Sequence, residues 1–594
     1  MAPVALLVLA LATGSARAQS YPRLGLYGSM YGDGYPLWDS TGTVNMVAVS
    51  EIARYDEVII DASPLTPYRP DVTALIRGIN PGISMLAYVT GHDIWDANTP
   101  DSTVNFPTRY NHLVRNLGGY LYNKQGTYFS QSRVNIAKRD AFGRFTVAEA
   151  VADLFNDALV KSGQWNGVFL DVFCNGIGWM ESPAESVDYV RAGYSSFASF
   201  DAAWKAGTDT LANRLRRIAG PSVILVGNCA SGTKYVSFNG WMRENFPYQQ
   251  GGSWFSNMYW DPGGYFADEQ HFLAPRHNYI FSAAGAATPY SSDNARKIRL
   301  GLATASLGTG FHVFGPSSRL SRPYAYHDWW YDEYSVDLTT GNSATDRAHT
   351  GWLGQPLGAY YQMLWAGSNP DAVTNPGFES SVSTGWTLFS TIGSTVTRDT
   401  TTAAVGSASA HVTVPATSSV PWAVAYTSTG TLTVGITWQA SATFWAKAST
   451  PRNITVALAL PTSGGLGAQV VTIGTTWKQY QAVIVSSGTG TAELQFQLGG
   501  EAGDVWLDDC HLQIGSSSVY RRDFQNGSIL INPSANSLTV PLERSFRKIH
   551  GTVDPFVNDG STVNQVTIAS LDAVFLIGTD QIAPSPILDL RRVP

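Results

Sequence analysis

Eight short apolar runs punctuate the first half of the chain, and several end on a polar or acidic residue. They read RLGLYGSMY from Arg23, EVIIDAS from Glu57, SMLAYVTGHD from Ser84, GVFLDVF from Gly167, VILVGNC from Val223, NGWMREN from Asn239, NYIFSAA from Asn278 and GFHVFG from Gly310. Each has the length of a buried strand, and helix-like stretches lie between most of them. Eight strands alternating with helices predict an α/β fold, a (β/α)8 TIM barrel, whose chemistry gathers at the C-terminal ends of the strands. On that reading the fourth strand ends at Asp171 and the sixth at Glu244.

The pattern changes near Asn369. Downstream, Ser, Thr, Val, Gly and Ala dominate, and strand-like pieces such as SASAHVTV, ITWQASATFWAKA, NITVALAL and TAELQFQL alternate with small-residue turns. Helix periodicity is absent, which predicts a β-sandwich. A third all-β piece follows from Val519, with RRDF, NGSILINPSANSLTVPL and QVTIASLDAVFLIG. The expected organisation is a leader over 1–18, the barrel over 19–368, the sandwich over 369–516 and a small β-domain over 517–594. The helix-like GWLGQPLGAYYQML from Gly351 and the final β-domain read as neighbouring parts of one module. The sandwich is then an insertion between them, of the kind exposed loops with close ends accept.

Composition narrows the partners. A formal charge of −7, from 38 Lys and Arg against 45 Asp and Glu, offers no basic surface for nucleic acid. Charged residues are only 14% while aromatics reach 12%, with 18 Trp and 28 Tyr, which suits stacking on the C–H faces of sugar rings. Ala2 to Ala12 is apolar and Ala16-Arg17-Ala18 forms a small-residue cleavage site before Gln19, a secretory pattern too short for a membrane span. A soluble, exported monomer, extracellular or periplasmic, is expected. The three cysteines, Cys174, Cys229 and Cys510, make no disulfide framework. Cys174 and Cys229 follow neighbouring strands, so a bridge and two buried thiols are both open readings. There is no CxxC, HExxH or phosphate-loop motif, so no catalytic metal or nucleotide is expected.

Asp171 and Glu244 are the candidate catalytic pair, because a carboxylate at the end of a buried strand is costly unless it has work or a partner. Asp61, Asp93 and Asn228 also end strands and are candidate contacts for sugar hydroxyls; Asn228 is equally a partner for Asp171. Arg243 is a candidate neighbour that would lower a carboxylate's pKa. Trp95, Trp260, Trp329 and Trp330 are candidate sugar platforms, the last two being followed by Asp332 and Glu333.

The ordered set VIIDASP, NGVFLDVF, WWYDEY, RRDFQNG and INPS resembles a bacterial "hypothetical glycosyl hydrolase" family, a TIM barrel with a C-terminal β-domain. The opening NPGFE, the following Gly385-Trp386 and the closing VWLDD resemble jelly-roll carbohydrate-binding modules. The first resemblance implies a two-carboxylate glycosidase acting on a polysaccharide or oligosaccharide. Barrels so laid out use the strand-four Asp as nucleophile and a strand-six acid as acid/base, mostly on α-linkages with retention. The second implies a structural calcium, with Glu379 and Asp509 as ligands. The competing reading is a non-catalytic glycan-binding protein on a degenerate barrel; a lyase or transglycosylase is a third.

Overall fold

The computed structural model describes the chain from residue 20 to residue 579, apart from 28–36, 40, 63–68, 95–104, 128–132, 183–185, 230–233, 248–252, 261–263, 285–288, 317–328, 364–370, 437–438, 463, 515–518 and 536. The leader and Trp95 fall outside the described residues.

All eight expected strands form. They are β1 (Gly25–Tyr27), β2 (Glu57–Asp61), β3 (Ser84–Thr90), β4 (Gly167–Asp171), β5 (Ile224–Gly227), β6 (Gly240–Arg243), β7 (Tyr279–Ala284) and β8 (Phe311–Pro316). They run parallel in chain order in one sheet, and a parallel bridge between Leu24 and His312 joins its two edges. The helices between them are α1 (Met46–Ile52), α2 (Pro70–Ile79), α3 (Phe106–Asn116), α4 (Thr146–Ala158), α5 (Phe197–Ala219), α6 (Gly264–His271) and α7 (Ser292–Leu307). Among the described residues no helix lies between β5 and β6, and none is long and apolar enough to cross a membrane.

Strand alternation fills the barrel. Ile59, Leu86, Tyr88, Phe169, Val226, Met242, Tyr279, Phe281, Phe311 and Val313 form one buried cluster, a packed interior and not a pore. Its layers demand close backbone approach: a Cβ on Gly167 would lie 2.0 Å from the Ile224 carbonyl oxygen, so β4 and β5 pair there only with glycine. At the opposite end from the strand termini, Glu57 is fully buried against the His277 imidazole (2.7 Å) and the Tyr279 hydroxyl, a structural acid in the floor.

After the barrel come a two-stranded ribbon, β9 (Val336–Asp337) and β10 (Asn342–Ser343), and then β11 (Tyr361–Met363). The sandwich packs the five-stranded sheet β12 (Trp386–Ser390), β15 (Val424–Val434), β20 (Gly490–Gln497), β17 (Arg452–Ala459), β18 (Gly465–Ile473) on a second one. That second sheet orders as β13 (Thr395–Asp399), β14 (Ser409–Val414), β21 (Gly503–Ile514), β16 (Gln439–Ala448), β19 (Lys478–Val485). Alternate residues such as Ala410, Val412, Phe444, Val456 and Phe496 point between the sheets and build a separate core. The last sheet comprises β22 (Val519–Phe524), β23 (Gly527–Asn532), β24 (Leu538–Lys548), β25 (Thr562–Ile568) and β26 (Asp572–Gly578). β11 pairs antiparallel with β22, Met363 opposite Val519 and Tyr361 opposite Arg521. The chain thus leaves for the sandwich and returns from it on neighbouring strands.

The C-terminal sheet covers α7, which explains why that helix is buried almost all round. Arg299 of α7 makes a two-pronged bond to Asp572 (both 2.9 Å) and reaches Asp554 at 2.7 Å. The Trp-Trp-Tyr-Asp-Glu segment belongs to the same lock. Asp332 accepts the backbone N–H groups of Thr552, Val553 and Asp554, and Glu333 accepts from the Asn558 amide at 2.7 Å. Trp330 lies between Arg54, 4.3 Å from its ring centre, and the edge contacts of Tyr55 and Tyr334.

Candidate functional site

Parity places the acids. In β4, Phe169 faces the interior, so Asp171, two residues on, faces it too and stands at the rim. In β6, Met242 is interior; Glu244 shares its parity and comes one residue past the strand end, while Trp241 and Arg243 face outward. Both acids are half-buried, which leaves them reachable from the mouth.

Asp171 is held by four donors. The Tyr88 hydroxyl donates to Oδ2 at 2.6 Å and the Tyr27 hydroxyl reaches the same oxygen at 3.4 Å. The Asn228 amide donates to Oδ1 at 2.9 Å and the Val172 N–H at 2.8 Å. Burial pushes the Asp171 carboxyl above its ordinary range, and these hydrogen bonds oppose that by favouring the ionised form. Glu244 has fewer such donors. Burial first, and then the charge of Asp171, raise its carboxyl to about 7, with the Asn228 side chain pulling the other way. Asn228 therefore holds Asp171 and favours the charged form of Glu244, which the charge of Asp171 opposes.

The backbone around the pair is constrained. Val172 (φ 52°) and Asn245 (φ 50°), the residues directly after the two acids, both adopt the left-handed conformation. For a β-branched valine that costs about 1–3 kcal/mol, a strain that persists where surrounding contacts over-determine it. One such contact is covalent: Cys174 and Cys229 form a disulfide, their Cα atoms 5.3 Å apart. It ties the loop after Asp171 to the residue after Asn228. Hydrogen bonds from Trp204 to the Cys174 carbonyl (2.9 Å), from Trp241 to the Cys229 carbonyl (3.2 Å) and from the Phe173 N–H to the Asn228 carbonyl (2.9 Å) brace the same loops.

Other expected contacts divide. Asp61 ends β2 half-buried, on the inward parity of Ile59. Asp93 does not face the mouth as a free hydroxyl contact: it is 1% exposed and ion-paired with Arg133, whose guanidinium lies over Trp179 at 4.8 Å. Arg243 is not beside the acid pair. Its outward parity sends it to Asp268 of α6 at 2.7 Å, where Lys234 also binds at 2.8 Å. Trp329 and Trp330 offer no open face for a sugar, being 4% and 5% exposed, with Trp329 against Phe314 and Trp330 in the lock described above. Trp260 ends a single π-helical turn, Ser256–Trp260. Sequence reasoning missed Tyr88 as a donor to Asp171; the signal was its inward parity, one layer below Thr90, which pairs with Asp171.

The sandwich residues expected at calcium are engaged separately. Glu379 accepts from Ser407 N–H (2.9 Å), Ser407 hydroxyl (2.6 Å) and Ala408 N–H (3.3 Å). Asp509 faces His511 Nε2 at 3.0 Å, and the carboxylate holding the neighbouring loop is Asp508, which accepts from Ala404 and Val405 N–H at 2.8 and 2.9 Å. Among the described residues no group of three or more His, Cys, Asp or Glu side chains is arranged to hold a metal ion.

Comparison with curated proteins gave no match. Solved structures give slight likenesses. An arabinose-bound MgGH51 α-L-arabinofuranosidase is 16% identical with a TM-score of 0.22, covering 24% of this chain and 26% of its own. A CBM4 module is 20% identical at 0.20, covering 24% and 99%. The CBM22-1 xylan-binding domain of Xyn10C from Paenibacillus barcinonensis is 16% identical at 0.20, covering 25% and 97%. None of the three is close enough to bear on function. The family comparison is different in kind: residues 79–372, β3 to β8 with the segment that follows, match the model of hypothetical glycosyl hydrolase family 15.

Proposed function

We propose that this carbohydrate-active protein is a glycoside hydrolase in which Asp171 is the nucleophile and Glu244 the acid/base. The observation that carries the reading is the charge-coupled pair at the barrel mouth sharing Asn228, one acid rich in donors and the other raised to about 7. Burial raises both carboxyls, but the four donors favour charge on Asp171 and that charge raises Glu244 further, and acids set to different protonation states in this way divide the labour of acetal cleavage. Asp171, ionised, attacks the anomeric carbon as Glu244 passes its proton to the leaving oxygen, and a glycosyl ester forms. Glu244, now a carboxylate, takes a proton from water, the water adds to the anomeric carbon, and Asp171 leaves. This is the retaining course, and by resemblance the substrate is an α-linked polysaccharide or oligosaccharide. The sandwich serves as the polymer-binding module, raising local substrate concentration. The apolar leader and the disulfide support action outside the cytoplasm.

The test is reducing-end release from a glycan panel by the wild type, Asp171→Asn and Glu244→Gln. Loss of about 10²-fold or more is expected in each variant, the scale of removing a general acid. Full activity in both variants overturns the assignment.

A further inference from the structure

A second cavity, of about 490 Å³, opens away from the acid pair's own residues, between the long loop that follows β3 and the loop that follows β4. Both loops leave C-terminal strand ends, and they are stitched together around it. Asp188 N–H donates to the Tyr122 carbonyl at 2.8 Å, Lys124 N–H to the Ser186 carbonyl at 2.8 Å, and the Tyr194 hydroxyl to the Ala137 carbonyl. Three cations line the cavity, Lys138, Arg139 and Arg191, against a single carboxylate, Asp188. Among the described residues none of the three makes an ion pair with an acid. Arg191 lies over Tyr122, its guanidinium carbon 3.3 Å from the ring centre, and Arg139 sits 4.1 Å from the ring centre of Phe145. Lys138 is used in part as a cap, donating to the Gly118 carbonyl at 3.0 Å and to that of Leu117. A fourth lining group points to a ligand with donors: Asn135 is buried, and its Oδ1 meets no hydrogen-bond donor of the protein.

We propose that this cavity is a binding site for an acidic sugar residue, a uronate unit of a glycan, separate from the catalytic pair. The chemistry fits on each side. Arg191 and Arg139, unpaired with any acid among the described residues, meet a carboxylate. Tyr194 supplies an apolar ring face for a pyranose. The Asn135 carbonyl and Asp188 accept from hydroxyls, a requirement a phosphate dianion does not have, and Asp188 repels such a dianion. The proposal stands whether or not Asp171 and Glu244 are catalytic.

The experiment is titration calorimetry of the full chain, carried in the Asp171→Asn background so that no turnover intervenes. The probes are a glucuronate trisaccharide, the glucose trisaccharide of the same linkage, and inorganic phosphate. Binding of the glucuronate probe, weakened at least tenfold by Arg139→Gln with Arg191→Gln and weakened by added salt, is the expected result. Both arginines are exposed, and an unchanged unfolding midpoint shows that the double variant is folded. Three results overturn the proposal: no glucuronate binding, equal binding by the double variant, or equal affinity for the glucose probe or phosphate.

Discussion

At the scale of single residues, Asn228 and Tyr88 decide how the two acids share protons. Both favour charge on Asp171, and that charge in turn discourages ionisation of Glu244. A consequence for stability follows from linkage. Glu244 titrates at about 7 in the folded protein against an ordinary value near 4.5. Between those values the native state holds a proton that the unfolded chain has released, so stability falls as pH rises from 4.5 through 7. Glu244→Gln removes that loss. The variant is expected to match the wild type below pH 4.5 and to be more stable at pH 8, by about 3 kcal/mol. Denaturant unfolding at the two pH values checks this, and equal stability at pH 8 contradicts the raised pKa. Of the residues read from the sequence, Asp171, Glu244 and Asn228 share the mouth because strand parity is legible. Asp93 and Arg243 went elsewhere because their partners, Arg133 and Asp268, lie in segments whose facing no local pattern reports.

At the scale of elements, the eight barrel strands were legible because each is a short apolar run with turn residues at both ends. What covers a loop was not. Trp330 looked like a mouth residue from its place after β8, yet the hairpin that buries the segment, around Thr552 to Asp554, lies about 220 residues away in sequence. The cysteines were undecided for a similar reason. Only the register of β4 on β5, Leu170 beside Gly227, brings Cys174 and Cys229 within bonding range. Because their bridge closes a span of 55 residues at the loops bearing Asp171 and Asn228, Cys174→Ser with Cys229→Ser should lower stability by about 2–4 kcal/mol. It should also lower kcat more than it raises KM, because the acid pair loses its fixed spacing. Wild-type unfolding midpoints and kcat in the double variant would show that the bridge is dispensable.

For the whole molecule, the pairing of β11 with β22 makes the sandwich removable. Met363 and Val519 face each other across that pair, so a short Gly-Ser linker from there can replace the intervening chain without crossing the barrel. The barrel and C-terminal sheet should stay together, held by Arg299 with Asp572 and Asp554 in a buried cluster that is costly to break. The shortened protein is expected to keep its activity on soluble oligosaccharides and to lose affinity for insoluble polymer in a pull-down. Unfolding of the shortened chain, or undiminished polymer binding, contradicts this arrangement. The three-part organisation was visible as a change in composition near Asn369; the adjacency of the insertion's two ends was not, since it depends on a strand pair between residues 158 positions apart, as the Gln362–Tyr520 register shows.

The most direct measurement is the pH dependence of kcat/KM for the wild type and Glu244→Gln on one cleavable aryl glycoside. With a leaving group that needs little protonation, the variant keeps enough activity to be followed. The wild type should lose activity above pH about 7 as Glu244 ionises, and the variant should keep a flat profile there. An alkaline limb that persists at the same pH in Glu244→Gln would contradict the division of roles between the two acids.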